Sequence, residues 1–231
     1  MSLVVAFNLD DYAILATDKR GVISYGTHEK NIHLNTADNY KKLRQIPFGY
    51  FASAGDYCIT ECFYAECMIQ TPITRTLKQI VEDTYHRYCR LQGIHHFSEM
   101  TTILLIAKSD NEDDNFTKDA ILEINIAHEK ISIQEIDLMN LVALMANMNP
   151  DPSFWDKVGN SLRTSNDFIH FDDFFHYHFN LIKYIWQEQL KFDDLISHHI
   201  DFYFHNRITS KGIIFAAEKY HRIPLKLTEL L

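Results

Sequence analysis

The side chains best equipped for chemistry fall into two kinds of cluster. Cys58, Cys62 and Cys67 lie on one expected helix, and Cys89 lies on the next. Cys58 and Cys62 are one helical turn apart, a spacing at which two thiolates can share a metal ion. However, the chain has no CxxC pair and no second paired motif. Thiols buried between two packed helices are the simpler reading. Histidine, thirteen residues in all, is densest in HFDDFFHYH, which holds His170, Asp172, Asp173, His176 and His178. A second group, His198, Asp201 and His205, has the spacing i, i+3, i+7. On a helix these three share a face and offer imidazole and carboxylate to a metal. No HExxH motif is present. The favoured reading is therefore amphipathic helices whose imidazole and aromatic rings pack at an interface or half-buried surface. A His-rich metal-binding protein is the lesser alternative, and no cofactor or metal is expected.

The elements that position such residues are legible in the hydrophobic pattern. LVVAFNL (3–9) and YAILAT (12–17) are apolar runs around Asp10-Asp11 and read as a hairpin. VISY (22–25) and residues 32–34 form a second pair, followed by the polar stretch NTADNYKK. Next come LRQI (43–46) and FGYFASA (48–54). From Asp56, an N-cap after Gly55, the apolar spacing becomes helical. Thr71-Pro72 ends that helix, and a second runs from 73 to 91. Strands return at 100–108, 120–127 and 130–136, with an acidic hairpin tip at 110–114. Residues 138–195 read as mainly helical and 212–220 as a last strand. The segment 168–204 is dense in Phe, Tyr and Trp, so its helices pack against a sheet or another subunit. No repeat or linker divides the chain, which reads as one α+β domain over residues 1–231.

Composition narrows the function. The 231 residues carry a net charge of -9, a field that repels phosphate backbones, so nucleic-acid binding is not expected. No apolar run approaches the roughly 18 residues a membrane helix needs, and the first 30 residues lack a signal-peptide pattern. A cytoplasmic protein with no membrane partner and with cysteines as thiols is expected.

Four places in the first 68 residues carry a family resemblance. They are Ser2 with the strand LVVAF, the strand ending AILATDKRG, the segment YKKLRQI, and FASAGDYCITECFYAECM. In order and spacing these resemble the proteasome β-subunit family and its bacterial relatives among the N-terminal-nucleophile (Ntn) hydrolases. The resemblance implies a four-layer αββα sandwich with two antiparallel sheets between helical layers. It also implies hydrolysis of an amide bond in a peptide or small molecule, and assembly into a homo-oligomer. Loss of Met1 exposes Ser2, whose hydroxyl is the implied nucleophile and whose own α-amine is the base. Retention of Met1 turns that amine into an amide and removes the base. Asp18 falls where the family keeps a buried acid and Lys42 where it keeps the paired lysine, with Lys41 one residue away as the alternative. An ammonium there favours the deprotonated hydroxyl, and the carboxylate holds the ammonium. Gly55 falls where a backbone N–H meets the oxyanion. The bland readings are a strand-end Asp18 satisfied by turn amides, a solvated Lys42 and a turn glycine at 55. The family's accessory acid and serine are not found in 130–170, and Asp167 and Ser165 are left unassigned. A catalytically silent Ntn-fold subunit, acting in assembly, is the alternative of a different class.

Overall fold

The computed structural model describes residues 3–25, 32–38, 40–69, 75–92, 100–107, 116–117, 119–128, 130–144 and 151–217. The side chains of 22–25, 32–38 and 217 are not part of that description. The expected acidic tip at 110–114 and the Thr71-Pro72 break lie outside it, as do Met1 and Ser2.

Two compact units emerge, 1–43 with 137–231, and 44–136. The first is built on strands β1 (Val4–Asn8) and β2 (Tyr12–Asp18), the expected hairpin. Its turn is fastened by Arg207, whose Nη1 donates to the carbonyls of Asp10 (2.8 Å) and Tyr12 (3.1 Å). Strands β3 (Arg20–Tyr25) and β4 (Ile32–Asp38) pair antiparallel, so the polar NTAD stretch is strand rather than connection.

The second unit contains β5 (Arg44–Ile46), β6 (Gly49–Ala54), α1 (Tyr57–Met68), α2 (Leu77–Gln92), β7 (Thr101–Ala107), β8 (Ile121–Ala127) and β9 (Lys130–Glu135). Its sheet runs β5-β6-β7-β8-β9, antiparallel throughout. Asp56 caps α1 as expected, its Oδ1 accepting from Cys58 N at 2.7 Å. Glu66, buried on α1, accepts from Arg75 Nη1 (2.8 Å) and from Arg87 Nε on α2 (2.5 Å). Cys62 and Cys67 pack in the core between these helices and the sheet. All four cysteines are free thiols.

The rest of the first unit comprises β10 (Asn140–Leu144), α3 (Pro152–Gly159), α4 (Phe171–Gln189), β11 (Ile200–Asn206) and β12 (Lys211–Ala217). Its sheet order is β10-β1-β2-β11-β12. Two expectations are corrected here. NLVAL is a strand paired with β1, because a short apolar run carries no period that separates strand from helix. IDFYFHN is a strand as well, so His198, Asp201 and His205 do not share a helical face. There Phe202 and Phe204 alternate with Asp201, Tyr203 and His205, the period of two that a strand imposes. Asp201 pairs with Lys19 Nζ at 3.0 Å, and His205 Nδ1 meets Tyr203 Oη at 2.9 Å.

Helix α4 buries Phe174, Phe175, His178, Phe179, Ile182 and Trp186 in one stripe. That stripe packs on alternate residues of β1, β2 and β11, among them Phe7, Tyr12, Phe202 and Phe204. The aromatic density of 168–204 is thereby largely core of this unit, with rings such as Phe175 and Phe204 4.9 Å apart. The architecture is α+β, two antiparallel five-stranded sheets with four helices among the described residues. None of these helices is long and apolar enough to cross a membrane.

Candidate active site

Asp18 ends β2 with its carboxylate fully buried. Four N–H donors converge on it. Oδ1 accepts from Leu3 N at 2.9 Å and from Lys42 Nζ at 2.6 Å. Oδ2 accepts from Arg20 N at 2.9 Å and from Ser197 N at 3.3 Å. Hairpin register brings Leu3 there, since the Asp18 N–H also donates to the Leu3 carbonyl at 3.0 Å. Lys42 comes from the segment after β4, and Ser197 from the loop between α4 and β11.

An Asp at this depth stays charged only with donors of this kind. Lys42 is buried too, whereas its neighbour Lys41 is exposed. Burial pushes the Lys42 ammonium below the ordinary lysine range, and the nearby Arg20 guanidinium adds to that; Asp18 opposes both. The outcome is a compact, dry cation held by a fixed carboxylate, which also accepts from the N–H of Leu3, the residue after Ser2.

Of the four residues singled out in the sequence, the structure brings Asp18 and Lys42 together. Ser2 lies outside the described residues, and Gly55 sits in the other unit, between β6 and α1. Gly55 has φ +121°, and a Cβ there would lie 2.7 Å from Thr101 Cα, so close packing alone calls for glycine. Asp56 N donates to Thr101 Oγ1 at 2.8 Å, which ties the same turn to β7.

Ser197 and Asp194 were not legible in the sequence. The Asp194 carbonyl accepts from Arg20 Nη1 at 2.8 Å, so the α4–β11 loop holds both Asp18 and Arg20. No local signal marks them, since Ser197 meets Asp18 across 179 residues of chain. Ser165 and Asp167 form a capped 3-10 turn instead, with Asp167 Oδ2 accepting from Thr164 N at 2.9 Å.

Of the other chemical clusters, Cys62, Cys67 and His178 are packed in the cores, while His170, Asp172, Asp173, His176 and His198 are exposed. Burial raises the thiols of Cys58, Cys62 and Cys67, the reverse of what a nucleophile or metal ligand needs. His178 is buried against Phe174, and burial lowers its imidazole to about 4, so it is neutral. Among the described residues no three His, Cys, Asp or Glu side chains gather as a metal set.

No protein-family model matches the sequence, and no curated protein matches it. Solved structures do. The chain is similar to the Gly-1 mutant of Anbu from Hyphomicrobium sp. strain MC1, with 16% identity and a TM-score of 0.59. That match covers 96% of this chain and 90% of Anbu. It is also similar to BPH of Thiobacillus denitrificans in complex with epoxomicin, with 13% identity and a TM-score of 0.50. Here 88% of this chain and 98% of BPH are covered. At these identities the likeness shows the fold alone, α+β with two antiparallel five-stranded sheets, the fold class expected from the sequence.

Proposed function

We propose that the chain is an Ntn-type amidohydrolase whose nucleophile is Ser2, freed by removal of Met1. One observation carries this reading. The buried Lys42 ammonium and the Leu3 N–H converge on one oxygen of Asp18, and Leu3 directly follows Ser2. The Ser2 hydroxyl attacks an amide carbonyl and its proton passes to the Ser2 α-amine. Lys42 lowers the energy of the developing alkoxide, and Asp18 keeps Lys42 in place. The tetrahedral adduct expels the amine, which takes up that proton, and leaves an acyl ester on Ser2. Water then releases the acid by the same proton route; an amine in its place gives transpeptidation. Gly55 belongs to this reading as oxyanion donor, a part that rests on the resemblance. The substrate is a peptide or a small amide. A homo-oligomeric state belongs to the same reading and rests on the resemblance.

Intact-mass analysis before and after exposure to epoxomicin, the compound bound to BPH, tests the proposal. The expected result is a chain one methionine lighter that gains one epoxomicin, with no gain in Ser2→Ala. A chain that keeps Met1, or a Ser2→Ala variant labelled equally, overturns it. A retained Met1 assigns the chain to the silent assembly-subunit class.

A further inference from the structure

Within the first unit, the loop after α4 reaches Asp18 from the β11 side of β2, opposite β1. Ser197 N donates to Asp18 Oδ2 (3.3 Å), the His199 carbonyl accepts from Lys19 N (3.2 Å), and the Asp194 carbonyl accepts from Arg20 Nη1 (2.8 Å). Three consecutive residues at the junction of β2 and β3 are thus held by one irregular loop. Ser197 is itself fixed from behind. Its carbonyl accepts from the indole Nε1 of Trp186 at 3.2 Å, and both residues are fully buried. Trp186 stands on the last turns of α4, in the aromatic core shared with β1, β2 and β11.

We infer that Trp186 is a positioning residue for the Asp18–Lys42 pair, its indole N–H fixing the Ser197 segment whose N–H holds the second oxygen of Asp18. The inference rests on the reading of Asp18 and Lys42 as the working pair of the site. The indole N–H has no other task that a hydrophobic ring would lack, because a Phe or Leu fills core volume without a donor. Without it, the Ser197 carbonyl loses the indole donor in a buried place, a cost relieved when the loop shifts toward water. A shifted loop withdraws one of Asp18's four donors and admits solvent to Lys42. Both changes favour the ammonium, the first by concentrating charge on the carboxylate and the second by hydration.

The test replaces Trp186 by benzothienylalanine, which keeps the bicyclic ring and removes only the donor, and compares it with Trp186→Phe. Phe175→Leu is the packing control. It opens the same core about 16 Å along the helix, eleven residues at 1.5 Å each, without touching the loop. The readout is the Lys42 titration by isotope-labelled lysine NMR, assigned with Lys42→Arg. In both Trp186 variants the Lys42 titration moves up by about 0.5 pH unit or more, and Phe175→Leu leaves it in place. An unmoved titration in the benzothienylalanine protein overturns the inference, and so does an equal shift in Phe175→Leu. Because the readout needs no turnover, it is independent of the epoxomicin result: the site reading can fail while Trp186 still positions the pair, and the reverse.

Discussion

Asp18→Asn is the most informative single perturbation of this protein. The substitution keeps side-chain volume, removes the charge and adds an NH2 group. Each oxygen of Asp18 already faces two N–H donors, Leu3 and Lys42 on one side, Arg20 and Ser197 on the other. Whichever way the amide turns, its NH2 confronts two donors, and the buried Lys42 ammonium loses its counter-charge. Removing one partner of a buried ion pair costs about 3–5 kcal/mol, a large share of the roughly 5–15 kcal/mol that holds a domain folded. At about 2–3 kcal/mol per molar urea, the unfolding midpoint falls by roughly 1–2.5 M. The penalty also depends on pH. Burial already holds Lys42 below its ordinary value of 10.5, and loss of Asp18 lowers it further. The folded variant then binds fewer protons than its unfolded chain over a wider window below 10.5 than the parent does. Stability rises with pH across that window, so the deficit narrows as pH climbs. Adding Lys42→Met to Asp18→Asn removes the stranded charge and recovers much of the loss. Urea titrations followed by circular dichroism between pH 7 and 9.5 measure all of this. A midpoint within about 0.3 M of the parent, or a deficit that widens with pH, refutes the reasoning.

Two further outcomes follow from buried groups away from that carboxylate. His178 titrates near 4 in the folded chain because it is buried, against about 6.5 when unfolded. Its contribution is constant above pH 6.5 and turns unfavourable as pH falls toward 4, reaching about 2 kcal/mol at pH 5. His178→Gln flattens that part of the acid slope in urea midpoints, and an identical slope in parent and variant sinks the assignment. Gly55→Ala places a Cβ 2.7 Å from the Thr101 backbone at φ +121°, a conformation that strains non-glycine residues by about 1–3 kcal/mol before any clash. Its Tm drops by about 5–10 °C in a thermal melt, and an unchanged Tm contradicts the close approach.

Local pattern was enough for most elements because their physics is local. Two Asp residues between apolar runs make the first hairpin, a Gly-Asp before helical spacing starts α1, apolar runs mark β7 and β8, and alternation marks β9. The pattern failed where the signal was ambiguous. NLVAL is too short to show a period, and IDFYFHN, read through its His and Asp spacing alone, passed for a helix. Asp18 and Lys42 were readable as a pair only through the family resemblance, since 24 residues separate them and neither type nor spacing joins them. Which lysine pairs with Asp18 was decided by the fold. Lys42 is buried on the carboxylate while Lys41 is exposed, a difference of which way one side chain points. Ser197 and Trp186 belong entirely to tertiary structure. A backbone N–H carries no residue signature, and a core tryptophan looks like any other large apolar ring until the partner of its N–H is known. The α+β class and the residues able to do the chemistry were legible in the chain alone. Which of them meet is a property of the folded chain, because burial and hydrogen-bond geometry act across chain separations that no local pattern records.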